Sequence, residues 1–295
     1  MKKILFLNIL LFLTFSAFSQ KSESIFKNYG SFLRLKLSNA PFPHASRAKD
    51  YVHENQKFTV LEHYNDSTVL VFIPKKFQAN KKIDIVFYFH GWYSTVDSAL
   101  VQFHLIEQFV QSGKNAILVL PELARNAPDS RGGKLEEMNA FRSLTDSVFK
   151  YLQKQPNLEN VRLGNIILAG HSEAYRTISY IIFYGGLPIS EVYLFDGLYG
   201  NLQKYAVWLL KNPNAKFINF YSEQSQEIKE NSEQMIQEMQ IWGLKHFTAS
   251  DEIISLKDLE INKICFIKTK LDHYESVYLN GAFYKCLLSS TNLKD

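Results

Sequence analysis

Short apolar runs alternate with stretches in which apolar residues recur three and four positions apart, from about residue 57 to near the C-terminal end. The runs read as strands and the recurring pattern as helices. Phe58–Tyr64 and Ser67–Ile73 flank Asn65-Asp66 and predict an antiparallel hairpin. Ile83–Phe89 then runs into His90-Gly91, followed by a helical pattern at Leu100, Phe103, Ile106, Phe109 and Val110. A strand at Ala116–Leu120 stops at Pro121, and Met138, Phe141, Leu144, Val148 and Leu152 lie on one helical face. Further along, strands are expected at Ile166–Ala169, Val192–Phe195, Phe217–Tyr221 and Ile264–Lys268. Between and after them come helices carrying Ile178, Ile181 and Ile182, then a short one ending before Pro213. A long one with Ile228, Met235, Ile236, Met239 and Trp242 follows, and a last one spans Val277 to Leu287. Strands alternating with helices predict an α/β fold with a mostly parallel sheet, helices on both faces and the antiparallel hairpin at its edge.

The first residues read differently. Lys2 and Lys3 precede an apolar stretch from Ile4 to Phe15, and Ala17-Phe18-Ser19 offers a small-x-small cleavage site, so residues 1–19 are expected to be a secretory signal peptide. Asn8, Thr14 and Ser16 interrupt the stretch, which is short for a membrane span. No stable membrane anchor is expected, and the protein should be exported, to the periplasm or beyond. Roughly 275 residues remain, enough for one large domain. The reading assigns 20–56 to an N-terminal lead-in and 57–295 to a single domain. Loss of Lys2 and Lys3 lowers the formal net charge from +4 to about +2, which gives no electrostatic reason to expect a nucleic-acid partner. Export permits a disulfide between the two cysteines, Cys265 and Cys286; two buried thiols are the alternative. Oligomeric state is not legible.

Candidate chemistry concentrates at Gly170-His171-Ser172-Glu173-Ala174, where an apolar run passes into a helical pattern. A serine on such a turn has its hydroxyl lifted clear of the sheet and the next backbone N–H free to hold an oxyanion. The usual pattern closes with glycine; Ala174 adds one methyl group. With His90-Gly91-Trp92 at the end of an earlier strand and the order of elements above, the chain resembles the α/β-hydrolase superfamily from about residue 57 onward. That resemblance implies a Ser172 nucleophile, backbone N–H donors at Trp92 and Glu173 for the oxyanion, and an acid and a histidine later in the chain.

Of the eight histidines, His246 and His273 come late enough. His273 follows the last strand by a few residues and is preferred; His246 trails the end of a helix. Asp196, just past the strand 192–195 and beside Gly197, is the preferred acid, with Glu223 past the next strand as the alternative. Glu223 behind Ser222 also suits the first turn of a helix, a structural reason for an acid there. Asp272 adjoins His273 and should point away from it. The resulting expectation is an exported serine hydrolase acting on a carboxylic ester, small or polymer-attached, through a Ser-His-Asp triad and an acyl-enzyme. A peptidase or amidase using the same triad, or a non-catalytic binding protein on this fold, are the alternatives. No cofactor is expected, and no His-Glu-x-x-His or similar spacing points to a metal. Arg125 and Arg131, in the loop after Pro121, are candidate anion binders or solvated loop residues.

Overall fold

Strands that are apolar at every position need cover on both faces, whereas one-sided strands alternate. The runs at 83–89, 116–121, 191–195 and 216–222 are buried almost without interruption. A computed structural model describes residues 23–295, so the signal-peptide expectation for 1–19 lies outside the described residues. In chain order the elements are β1 (Gly30–Lys36), β2 (Tyr51–His53), β3 (Gln56–Phe58), α1 (Val60–His63), β4 (Thr68–Pro74) and β5 (Lys82–Phe89). Then come α2 (Val96–Gln102), α3 (Leu105–Gln111), β6 (Ala116–Pro121), α4 (Ala140–Leu152), β7 (Arg162–His171), α5 (Ala174–Tyr184), β8 (Glu191–Phe195) and α6 (Leu202–Lys211). The chain closes with β9 (Lys216–Ser222), α7 (Gln226–Ile241), β10 (Phe247–Ser250), α8 (Leu256–Ile261), β11 (Ile264–Thr269), α9 (Glu275–Tyr278) and α10 (Ala282–Leu288).

One nine-stranded sheet runs β1-β4-β6-β5-β7-β8-β9-β11-β10. β4 is antiparallel to both its neighbours, and all the pairings from β6 to β10 are parallel. Alternation within each strand divides the core. Ile83, Ile85, Phe87 and Phe89 of β5 join residues of α4, α5, α6 and α7 on one face. Val86 and Tyr88 join residues of α2, α3, α8 and α10 on the other. Each large side chain so buried stabilises by about 1.5–3 kcal/mol, which fixes strand register more firmly than any single turn.

The expected mostly parallel sheet with an antiparallel pair near the N-terminus and helices on both faces is present, but the hairpin partners differ. β4 is paired on one side by β1 and on the other by β6, from Gly30↔Pro74 to Lys36↔Thr68 and from Val69↔Pro121 to Phe72↔Leu118. Residues 58–64 therefore find no free edge. They contain instead a helix start: Thr59 Oγ1 caps it by accepting the Glu62 N–H at 3.4 Å and also donates to Glu62 Oε2 at 2.9 Å. The segment read as a lead-in supplies β1, an edge strand whose one-sided burial gives a weak pattern. It also supplies the separate two-stranded β2–β3 hairpin. The single helix expected around residues 100–110 is broken at His104, which has φ 49°. The last helix is likewise divided at Gly281, φ 63°. Cys265 and Cys286 are both buried free thiols, not a disulfide.

Candidate active site

β5, β7, β8 and β11 are parallel neighbours or near neighbours, so the loops after them emerge on one edge of the sheet, where ligands of such folds are held. Ser172 follows β7 directly with φ 57°, a left-handed conformation that only a tight turn imposes on a non-glycine residue. The turn forms because two neighbours are glycine. A Cβ on Gly170 would come within 2.8 Å of the Ala174 Cβ and 2.7 Å of Ile178. A Cβ on Gly91 would come within 2.7 Å of the Ser172 Cβ. The extra methyl of Ala174 is thus accommodated by the bare backbone of Gly170, and Ala174 is fully buried.

Three of the expected residues meet. His273 Nε2 lies 2.9 Å from Ser172 Oγ, and its Nδ1 lies 2.7 Å from Asp196 Oδ2. Asp196 has no exposed surface. Its carboxylate also accepts the Ser222 N–H at 2.7 Å on Oδ1 and the Ser225 hydroxyl at 2.6 Å on Oδ2, both from the end of β9 and the turn beyond it. Three donors on two oxygens fix its orientation. Glu223 stands in the same turn but points outward, where its exposed carboxylate pairs with Lys268 at 2.7 Å. That pair holds the Glu223 carboxyl below its ordinary range. His246 donates to the Leu244 carbonyl at 3.0 Å. Asp272 accepts the N–H groups of Tyr274 and Glu275, each at 2.8 Å, and so turns the chain that presents His273.

His171 has a role the sequence reading did not assign. It is buried, and its Nε2–H donates to the His273 carbonyl at 2.8 Å, with the two rings 4.4 Å apart between centroids. Burial, and then the neighbouring His273, push its pKa well below the ordinary histidine value. A neutral imidazole thus tethers the loop of His273 to the elbow.

The His90-Gly91-Trp92 turn is pinned from several sides. His90 Nδ1–H donates to the Gly91 carbonyl at 2.9 Å, and Glu122 Oε1 lies 2.9 Å from its Nε2. Glu122 in turn accepts the Val96 N–H at the start of α2 at 3.2 Å. The Tyr93 N–H donates to Ala127 and the Asn126 N–H to Ser94, so the loops after β5 and β6 brace each other. β2 and β3 cover the outer side, with His53 against Trp92 and Phe58 against Tyr93. Arg125 pairs with Asp66 at 2.9 Å, and Arg131 is exposed.

A cleft of about 360 Å³ opens above Ser172 and His273. Trp92, Tyr93, Tyr175, Tyr199 and Tyr274 form its walls, together with Glu173 and Glu227. The four tyrosines and Glu227 went unassigned in the sequence, because scattered tyrosines leave no periodic signal. Burial, and then the neighbouring Asp196 carboxylate, raise the Tyr199 pKa. The Glu173 carboxyl is pushed up to about 7, by burial first and then, among opposing contributions, by Glu227. Among the described residues no cluster of three or more His, Cys, Asp or Glu side chains is placed to hold a metal ion, and no helix is long and apolar enough to cross a membrane. Chemically, a hydroxyl bonded to an imidazole whose far nitrogen is bonded to a buried carboxylate is an activated nucleophile.

No family model matches the sequence, and no curated protein matches it. Solved structures do resemble it in backbone. A mutant of the feruloyl esterase module from Clostridium thermocellum, complexed with sinapinate, is 12% identical over 90% of this chain and 90% of that one, with a TM-score of 0.51. The fluorophosphonate-binding serine hydrolase F of Staphylococcus aureus, substrate bound, is 11% identical over 89% and 99%, with a TM-score of 0.52. A ferulic acid esterase is 15% identical over 75% and 90%, with a TM-score of 0.51. The chain has the α/β-hydrolase fold.

Proposed function

We propose that the protein is a serine hydrolase that cleaves carboxylic esters through an acyl-enzyme. The observation that supports this most directly is the unbroken chain Ser172 Oγ, His273 Nε2, His273 Nδ1 and Asp196 Oδ2, with separations of 2.9 and 2.7 Å. Ser172 Oγ attacks the ester carbon while His273 Nε2 takes its proton. The oxyanion is held by the N–H groups of Trp92 and Glu173, each worth about 2.7–4 kcal/mol in the transition state. The carbon–oxygen bond to the alcohol then breaks, and His273 returns the proton to the departing oxygen. Water next gives a proton to His273 and its hydroxide to the acyl carbon; the acid leaves and Ser172 regains its proton. Asp196 keeps the imidazole proton on Nδ1 and stabilises the transient imidazolium.

Between Asp196 and β9 the chain has space for α6 alone, and the cleft is lined by rings rather than covered by an inserted lid helix from that segment. Bulky or polymer-attached esters, including aryl esters of the kind named for the feruloyl esterases above, suit such a cleft. We also propose export, on the charged, apolar and small-residue pattern of residues 1–19. Purified protein, offered a fluorophosphonate probe and a panel of p-nitrophenyl and feruloyl esters, should be labelled and should turn over at least one ester. Ser172→Ala should remove both. Correctly folded wild type that shows neither, or Ser172→Ala protein that still turns over ester, overturns the reading.

A further inference from the structure

The walls of the cleft carry an unbalanced charge. Two carboxylates, Glu173 and Glu227, line it and no lysine or arginine does. Two nearby arginines are paired with carboxylates outside the cleft: Arg176 grips Glu136 through two bonds of 2.7 and 2.9 Å, and Arg47 pairs with Asp129 at 2.5 Å, while Arg131 is exposed and outside the lining. The remaining lining is aromatic, apart from Ser172, His171 and His273. An aromatic face attracts a cation through its quadrupole, by about 0.5–2 kcal/mol as water is excluded. Two carboxylates on one cleft, Glu173 partly buried and Glu227 exposed at the rim, repel an approaching anion and attract a cation over the same distance. Rings and carboxylates converging on the space above a nucleophile therefore select one charge.

We propose that the cleft accepts esters bearing an ammonium group close to the reacting carbonyl, with Glu173 and Glu227 as the residues that set this preference. The inference rests on the ester-hydrolase reading and specifies its substrate class. The groups facing Glu173 are Ser130, which hydrogen-bonds to it, Glu227, His273, Arg176 and Tyr175. With its carboxyl pushed up to about 7, Glu173 gains its charge as pH rises through neutrality. The preference for a cation should then strengthen over that interval. His273 takes the serine proton for every substrate, so a ratio of two substrates reads the charge preference rather than the shared chemistry.

Two matched pairs test this: acetylcholine with its neutral carbon isostere, and the p-nitrophenyl ester of γ-trimethylammoniobutyric acid with its carbon isostere. At about pH 8 the cationic member of at least one pair should have kcat/KM about ten-fold higher, a modest demand on two carboxylates and several rings. The ratio should shrink toward about pH 6 as Glu173 takes up its proton. Glu173→Gln and Glu227→Gln should each lower the ratio, the double variant should bring it near unity, and Glu173→Gln should abolish its pH dependence. Reading a ratio within each variant removes any loss of folded protein. Neutral isosteres, or sugar acetates, hydrolysed faster than the cationic esters would overturn the inference and leave the hydrolase reading intact. If no ester is hydrolysed at all, that reading fails, and an NMR titration of phenyltrimethylammonium against tert-butylbenzene decides the inference separately. Binding of the cation alone, lost in the double variant, sustains it; equal or absent binding ends it.

Discussion

Replacing Asp196 by asparagine changes one oxygen into an NH₂ group, and the surrounding donors dictate which. Oδ1 accepts the Ser222 backbone N–H at 2.7 Å, a donor that cannot turn away. The asparagine oxygen must therefore take that position, and the NH₂ falls where Oδ2 stood, 2.7 Å from His273 Nδ1 and 2.6 Å from Ser225 Oγ. Ser225 can rotate its hydroxyl to accept. His273 can accommodate an NH₂ only by moving its proton to Nε2, the nitrogen that must take the proton of Ser172. Fold and chemistry thus separate. The fold exchanges charged hydrogen bonds for neutral ones while relieving a buried charge, a net cost of about 1–2 kcal/mol. The chemistry loses the correct tautomer, about 10⁴-fold in kcat or about 5.5 kcal/mol. Steady-state kinetics on any ester turned over by the wild type, with thermal unfolding alongside, should give a steep fall in kcat and a fall of only a few degrees in Tm. Glu223→Gln, at an exposed ion pair, should leave kcat within about two-fold. Asp196→Asn protein that keeps a tenth or more of the wild-type kcat, or a larger loss from Glu223→Gln, refutes the assignment.

Gly91→Ala should reduce both activity and Tm, because the new methyl would lie 2.7 Å from the Ser172 Cβ and 3.0 Å from the His171 carbonyl; kinetics and calorimetry on one preparation check this. His171 folds as a neutral imidazole with a depressed pKa, while the unfolded chain binds a proton below about 6.5. Its contribution to stability is accordingly lost as pH falls below that value, by up to about 1.4 kcal/mol per pH unit. Glu173, whose pKa is raised, acts in the opposite sense between the ordinary glutamate range and about 7, but it is common to both proteins in the comparison. His171→Gln, which keeps a donor for the His273 carbonyl, should flatten the acid side of the stability profile measured by urea unfolding. Burial pushes the Cys265 thiol up to about 12 and raises the Cys286 thiol well above its ordinary value. Neither thiol should react with a disulfide reagent in the native protein, and both should react once it is unfolded.

The site was more legible in the sequence than the edge of the sheet. Ser172, Asp196 and His273 each follow a strongly apolar strand, and a buried parallel strand announces itself by composition. β1 has one covered face and an arginine in its middle, so its pairing with β4 had no comparable signal. Thr59-Val60-Leu61-Glu62 reads equally as a β-branched strand or as a capped helical turn, and the absence of a free edge on β4 decided between them. Trp92-Tyr93, Tyr175, Tyr199, Glu227 and Tyr274 come from different loops and helix starts after different strands, and their convergence depends on strand order and loop paths that no local pattern encodes. The serines that hold Asp196 were hidden for the same reason: Ser222 was read only as a cap for the acid beside it.

Those serines bear on how such a site can change over generations. Asp196 rises from the end of β8, yet two of the three hydrogen bonds it accepts come from Ser222 at the end of β9 and Ser225 in the turn beyond it, so a single polar niche spans two strand ends. A carboxylate in place of Ser225 would stand at the same niche, 2.6 Å from where Asp196 Oδ2 now meets the imidazole, although Glu223 in the same turn points outward. The address of the acid can therefore drift from one strand to the next through exchange of Asp and Ser across the niche, with the histidine and the nucleophile left undisturbed.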